Sequence, residues 1–599
     1  MRGLLFFLFL ITSVAIQAQS SRLAQQYYRD GEFEKAAFVY KSLYEKNTNN
    51  TFYFERYVDC LIALEEFKEA EKEITKSIKQ NDKSPKLYVL YGKLLERQYK
   101  DEEAKEQFQN AISVLPKDRY SIIRLANDFS VLTKYDLAIT TYEAGSKLLK
   151  DDRVFAYYLG ELYRRKGETT KMIEYYLNSI DETPKRVDGL KSLFQRYFGE
   201  EDYRELQRQL YERIQSRNEN ITYNELLTWV FIQRKDYRAA LRQVKALDRR
   251  MNENGGRVFE VATIAANDRA YDQAIDGYEY IVEMKGATSS YYLDAKKQAL
   301  LCRRQKLVDG YSYTKDDLLK LEALYEDFLE EFGRSKLTAA IILELAKLEA
   351  FYLNDLDKAI TLLNEMINYP NIDPTIQAEG KLSLADYYLM QGERWESTLL
   401  YSQVDKDFKE DYLGNEARFR NAKLSYFMGE FEWAQSQFNI LKVSTSKVIA
   451  NDALDLSVFI MDNLGLDSTE QAIKLYSEAE LLVFQNKFDE AFEKMDTLAT
   501  TFPDHSLKDD ILYLKADIYS KLREYEKAAS IYKEIVDNHK DEIRADNALF
   551  ALAMLYENQL NDLELAQKYY ESLFIDFSNS TLAVEARKRY RILRGDNVQ

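Results

Sequence analysis

Histidine occurs only twice and cysteine only twice in 599 residues. An enzyme needs a nucleophile, an acid–base pair or a metal held in a dry pocket. His505 and His539 have no partner at metal-ligand spacing, and Cys60 and Cys302 lie far apart in apolar helical stretches, which leaves a disulfide framework or a zinc site without sequence support. There is no GxSxG, HExxH, CxxC, P-loop or GxGxxG pattern, and the Gly255-Gly256 pair reads as a turn. With 100 acidic residues on amphipathic helices, a pair of nearby carboxylates carries no information about hydrolysis. The expectation is a chain that is not an enzyme, with no catalytic residue, no metal ligand and no cofactor.

Proline (6) and glycine (20) are also scarce, which suits long helices joined by short turns and makes an all-α chain the first expectation. A basic excess is lacking too. At a net charge of −17 the chain does not offer the clustered Lys and Arg from which nucleic-acid binding draws its affinity.

Long apolar runs are absent but for one. Arg2 precedes Leu4 to Ile16, and QAQS follows; this is the order of a secretory signal peptide. The run is too short to span a bilayer, for which about 20 residues are needed. Cleavage after Ala18 would leave Gln19 first, with no cysteine there for lipid attachment. These features predict an exported, periplasmic protein with a cleaved leader over residues 1–18, not a lipoprotein and without a membrane span.

What is abundant is repetition. GEFEKAAFVYKSL, from Gly31, returns as REYEKAASIYKEI, from Arg523. Ala36, Ala70, Ala104, Ala138, Met172, Leu206, Ala240 and Ala274 follow one another at steps of 34. Four residues after each stands a larger apolar side chain: Tyr40, Ile74, Phe108, Tyr142, Tyr176, Leu210, Val244 and Tyr278. Twelve before stands a mostly small one, including Ala24, Gly92, Ala126, Gly160 and Ala262. Small residues let two helices of one repeat approach, while the aromatic fills the gap to the next repeat. In the sixth repeat Phe194 and Leu206 replace both small positions, which predicts looser packing over residues 187–220.

A period of 34 with these offsets resembles the tetratricopeptide repeat, a helix-turn-helix family. The third repeat matches it most fully, through Tyr88, Tyr91, Gly92, Leu95, Ala104, Phe108, Ala111 and Pro116. The resemblance implies a right-handed superhelical solenoid of about 14 such repeats. Punctuation agrees with it. Pro116, Pro184 and Pro503 fall at repeat ends, Pro85 opens a repeat, and Gly31, Gly167, Gly392 and Gly429 fall in the turn within a repeat.

After residue 285 the strict period gives way to a second series, Ala359, Ser397, Ala434, Ala491, Ala528 and Ala566, most of whose steps are 37 or 38. The large gap, between Ala434 and Ala491, predicts an extra helix near Ile449 to Asp462 and a turn at NLGLDST. This divides the chain into an N-terminal array over 19–285, a middle array over 286–465 and a C-terminal array over 466–599 with a capping helix, with hinges near 286–315 and 463–470. The later phrases, FPDHSLKDDILYLKADIY and HKDEIRADNALFALAMLY among them, resemble tetratricopeptide arrays of bacterial envelope proteins, such as the β-barrel assembly lipoprotein BamD and the Tol–Pal-associated periplasmic protein. The chain lacks the anchor cysteine of the first and the coiled coil of the second. Its leader ending in QAQ and its Lys, Asn, Tyr and Ile usage look like those of exported Bacteroidetes proteins.

The resemblance also implies a ligand-facing wall on the first helix of each repeat. Mapped here, it gives Lys93, Arg97, Asn127, Tyr157, Arg164, Arg165 and Lys191, a mildly basic strip in an acidic protein. The family's full Lys and Asn carboxylate clamp is not reproduced, and solvated charge balanced by nearby acids is the competing reading. The expected function is a periplasmic protein-binding scaffold or adaptor that assembles or organises envelope, secretion or surface machinery. Its partners would be envelope or exported proteins, in peripheral association with a membrane complex. The alternative is a chaperone or carrier for exported proteins.

Overall fold

The computed structural model describes residues 20–48, 50–216, 221–309, 313–409, 411–444, 447–464 and 470–596. The leader, its cleavage after Ala18 and most of the turn at NLGLDST lie outside the described residues, which are all helix and turn with no strand. The chain forms two compact units, 1–251 and 252–599, each a stack of antiparallel helices. These units follow packing, whereas the three arrays of the sequence reading follow the repeat period; the helix Tyr271–Met284 belongs to the first array by period and to the second unit by packing.

The period is written in the backbone. A left-handed residue recurs at Gly31, Glu65, Tyr99, Thr133, Gly167, Lys235 and Arg269, each 34 from its neighbour except across one missing member at 201. Each closes the first helix of a repeat. The next amide reaches back five residues: Glu66 N–H donates to Leu61 O (2.9 Å), Lys100 to Leu95 O (3.0 Å), Lys134 to Phe129 O (2.9 Å) and Asp236 to Phe231 O (2.9 Å). This is the six-to-one bond of a Schellman motif, which satisfies a carbonyl that the helix end leaves open. The same residue then starts the second helix, as Lys100 O accepts from Ala104 N–H (2.9 Å).

Small and aromatic positions meet as a lock within a repeat. A Cβ on Gly92 would stand 2.4 Å from the Phe108 ring, and one on Gly160 would stand 2.6 Å from the Tyr176 ring. So the aromatic does more than fill the gap to the next repeat. Phe108 lies on Gly92 of its own repeat and meets Phe129 of the next edge-on at 5.7 Å; Tyr176 does the same with Gly160 and Phe194, at 6.1 Å. Tyr40, Tyr142, Tyr176, Tyr278, Tyr532 and Tyr570 are all buried. Several hydroxyls find a partner at the core edge, Tyr176 donating to Glu161 (2.6 Å) and Tyr570 to Glu557 (2.6 Å).

The sixth repeat departs from this plan. Its helices Val187–Tyr197 and Glu200–Ser216 make few contacts with each other, and the second packs on Thr169–Glu182 and Ile221–Gln233. Phe194 occupies the small position, fully buried against Phe198 at 4.5 Å, so the second helix cannot close on it. The missing left-handed residue at 201 belongs to the same change: the Schellman turn is absent where the pair has parted.

In the second series the turn residues are Asn354, Gly392, Gly429, Asn486, Arg523 and Asn561. The extra helix is present as Lys447–Asn463, and the helices Tyr412–Phe427 and Gln471–Phe484 pack directly on each other around it. Before Asn354 one helix ends in a π-turn, Glu349–Leu353. Its Glu349 is buried and shares Lys358 with Glu322 and Glu326; Nζ lies 2.6 Å from Glu349 and 3.3 Å from Glu326.

Candidate protein-binding walls

Ion pairs tie residues 34 apart in both series. Lys93 Nζ lies 2.7 Å from Asp59, Arg234 is 2.7 Å from Glu200, Arg420 is 2.5 Å from Asp386 and Arg544 is 2.6 Å from Asp510. Each acid stands 34 residues before its base. Asp59 and Lys93 stand at equivalent positions on successive first helices and form a rung; Glu200 instead opens the second helix Glu200–Ser216, and the two pairs of the second series join residues a few positions out of step with its longer repeat.

These rungs absorb part of the predicted basic strip. Lys93 is held by Asp59. Arg164 pairs with Glu161 at 3.0 Å and lies 5.1 Å over the Tyr197 ring. Lys191 is 3.6 Å from Asp188, and the Tyr157 ring carries Arg186 at 5.3 Å. Arg97, Asn127 and Arg165 are exposed, and among the described residues Arg97 and Arg165 have no ion-pair partner. Lys93 and Arg97 share one helix, Pro85–Arg97, one turn apart; Tyr157, Arg164 and Arg165 share Ala156–Lys166.

Acids alternate with these bases. Lys86 lies 2.7 Å from Glu55, whose carboxyl burial pushes up against the pull of that lysine. Burial also raises Asp128, opposed by Lys86, Arg124 and Lys93. Burial alone would raise Glu161 as well, but the Tyr176 hydroxyl and the Arg164 guanidinium outweigh it and hold the carboxyl below its ordinary range. The wall of the first unit is therefore of mixed sign, with Arg97 and Arg165 among its cations that have no ion-pair partner in the described residues.

The second unit carries a wall that the sequence reading missed. Arg544 Nε donates to Asp510 Oδ1 (2.6 Å), and its backbone N–H donates to Asp509 Oδ2 (3.2 Å). Its guanidinium lies over Phe459 at 5.6 Å and Tyr513 at 5.4 Å. Burial pushes Asp510 up to about 7, against the pull of Arg544 and with the help of Asp509. Asp452 and Asp455, on Lys447–Asn463, are exposed yet partly desolvated by their surroundings. That partial desolvation raises both, and neighbouring acids add to it: Glu416 at Asp452, and Asp452 and Asp546 at Asp455. Asp455 also senses Arg544, so helices nearly a hundred residues apart face a common space within this unit. The available signal was the adjacent acids Asp509 and Asp510 opening KDDILYLKAD and the arginine, Arg544, opening RADNALFALA.

Among the described residues no group of three or more His, Cys, Asp or Glu is arranged to hold a metal, and no helix is long and apolar enough to cross a membrane. Cys60 and Cys302 are buried free thiols; burial pushes Cys60 up to about 12.

Two models of the tetratricopeptide repeat match the chain, over residues 509–538 and 547–580. No curated protein matches. Among solved structures the chain is similar to a tetratricopeptide repeat protein from Parabacteroides merdae (14% identity, 47% of this chain, 91% of that one, TM-score 0.28). It is also similar to yeast Tom70 (13% identity, 92% and 98%, TM-score 0.24) and to a chain of Naa15/Naa10 bound to HypK (13% identity, 96% and 94%, TM-score 0.23). The chain is an all-α repeat solenoid that carries tetratricopeptide repeats, a kind of repeat that serves protein–protein interaction.

Proposed function

We propose that this protein is a periplasmic scaffold of the bacterial envelope that holds another protein against its helical walls and so assembles or organises envelope, secretion or surface machinery. The compartment rests on Arg2, the apolar run Leu4 to Ile16 and the QAQS that follows. The mechanism is binding alone. Rungs of ion pairs and Schellman turns fix the helices before any partner arrives, so little ordering cost falls on association. The observation that carries the reading is that each unit presents repeat walls whose polar side chains pair with one another rather than converge on a reacting centre.

A carrier of exported chains is the second reading, favoured by the exposed Phe38, Tyr99, Tyr120 and Val131 in the first unit. Cross-linking in intact cells separates the two. A scaffold gives one adduct of fixed stoichiometry; a carrier gives many, and the purified protein then suppresses aggregation of unfolded clients. A native chain that still begins at Met1, or a cytosolic location, contradicts the compartment.

A further inference from the structure

The strict period ends after the helix Tyr271–Met284, and the two helices that follow, Tyr292–Asp309 and Lys315–Phe332, run to 18 residues each. Tyr292–Asp309 packs along Tyr271–Met284 but touches Lys315–Phe332 only sparsely. A cleft of about 280 Å³ opens between the three. Its floor is apolar: Val282, Ala299, Leu300, Leu324 and Phe328. Leu324 is 38% exposed, although its neighbour Phe328 on the same helix is buried.

The rim is charged and unbalanced. Arg303 is paired with Glu279, and Lys296 with Glu331, which also accepts from the Tyr292 hydroxyl at 2.8 Å. Both cations of the rim are therefore neutralised within the chain. Glu283 and Asp327 are exposed, and among the described residues neither has an ion-pair partner. The cleft thus joins an apolar floor to a negative edge. Its volume lies below the roughly 300–1,000 Å³ usual for small-molecule pockets, so it suits one or two anchoring side chains rather than a cofactor.

We infer that this cleft docks a helical segment of a partner protein that presents a Leu or Phe anchor with Lys or Arg one turn away on either side. The anchor covers Leu324 and Leu300, and the flanking cations meet Glu283 and Asp327. This rests on the scaffold reading and adds to it a place and a partner chemistry.

The probes are two labelled 18-residue helical peptides with the same Leu and Phe stripe, one flanked by Lys and one by Glu, titrated by fluorescence anisotropy into the full chain. The Lys peptide should bind at least ten-fold more tightly than the Glu peptide. Leu324→Arg should weaken the Lys peptide at least ten-fold, and Glu283→Lys with Asp327→Lys should reverse the preference. Circular dichroism checks folding. Should Leu324→Arg unfold, the two exposed acids still carry the test. Equal affinity for the two peptides, no binding of either, or indifference to the charge reversal overturns the docking site. The same charge-reversed chain, cross-linked in cells, separates this inference from the one beneath it. Undiminished capture of the partner overturns the cleft and leaves the scaffold standing, whereas no adduct from the unaltered chain overturns the scaffold itself.

Discussion

The two repeat series use one turn and fill it differently. In the first, only two of the seven left-handed positions, Gly31 and Gly167, are Gly or Asn; the others are Glu65, Tyr99, Thr133, Lys235 and Arg269. In the second, Asn354, Gly392, Gly429, Asn486 and Asn561 leave Arg523 as the exception among six. Yet the five-back closing bond recurs, 2.9 Å from Lys134 N–H to Phe129 O in one and 2.9 Å from Lys487 N–H to Leu482 O in the other, while after Asn354 and Asn561 the next amide reaches back six residues, to Glu349 O and Tyr556 O (2.9 Å each). A left-handed L-residue other than Gly or Asn costs about 1–2 kcal/mol. Packing of the helix pair on both sides imposes the turn and overrides that cost. The turn is kept at both the 34-residue and the longer spacing and is lost at 201 where the helix pair parts, so it follows the packing of the pair and the residue type follows loosely.

The largest expected effect tests how tightly the two series are packed. Gly92→Ala forces a methyl into the Phe108 ring, itself wedged against Phe129, and should cost about 1–3 kcal/mol despite the better helix propensity of alanine. Gly380→Ala meets the terminal methyl of Met366, which can swing aside, and stands 3.3 Å from a methyl of Ile367, so it should cost less than Gly92→Ala. Urea unfolding with alkylation of Cys60 and Cys302 reads the units separately, since one buried thiol lies in each. Equal losses at the two glycines would break the comparison.

The next effect concerns pH and differs in sign between two carboxyls, Glu349 of the second unit and Glu161 of the first. Burial, with Glu322 adding and Lys358 opposing, raises Glu349 to about 7, so between pH 4.5 and 7 the folded chain holds a proton that the unfolded chain has lost. Stability from this group falls as pH rises through that window and stays lowered above it. Glu349→Gln should remove the slope and stabilise the second unit by on the order of 1 kcal/mol at pH 8. Glu161 is depressed instead, so its stabilisation is present above the ordinary carboxylate range and is lost as pH falls; Glu161→Gln should flatten the acid limb of the first unit. Melting curves of both variants from pH 4 to 8 check the signs, and parallel slopes would contradict them.

The smallest effect is at the turns. Thr133→Gly should stabilise by roughly 0.5–1 kcal/mol, because a β-branched residue gives way to one at ease with positive φ. Asn354→Gly should change little. A loss at Thr133 would show that its side chain contributes more than the strain it brings.

The helix pairs, their period, the sixth-repeat departure and the extra helix were legible because small and large residues recur at fixed offsets, and burial obeys those offsets. The walls were not. Lys93 reads as a free cation until Asp59, one repeat earlier, is seen beneath it; Glu161 and Asp188, three residues before Arg164 and Lys191, are nearby acids of the kind the competing reading invokes. The acidic wall draws on helices from Tyr412–Phe427 to Ala545–Asn558, a juxtaposition that no local pattern encodes. The cleft at Leu324 exists because two helices part, and parting leaves no signature in periodicity beyond its end.

The account stands or falls on a partner held at these walls. A photo-activated cross-linking residue placed at Arg97 on the first wall, and separately at Asp455 on the second, should give in intact cells one adduct of constant mass with a single protein from at least one position. No adduct from either position, or a ladder of many unrelated proteins from both, would contradict it.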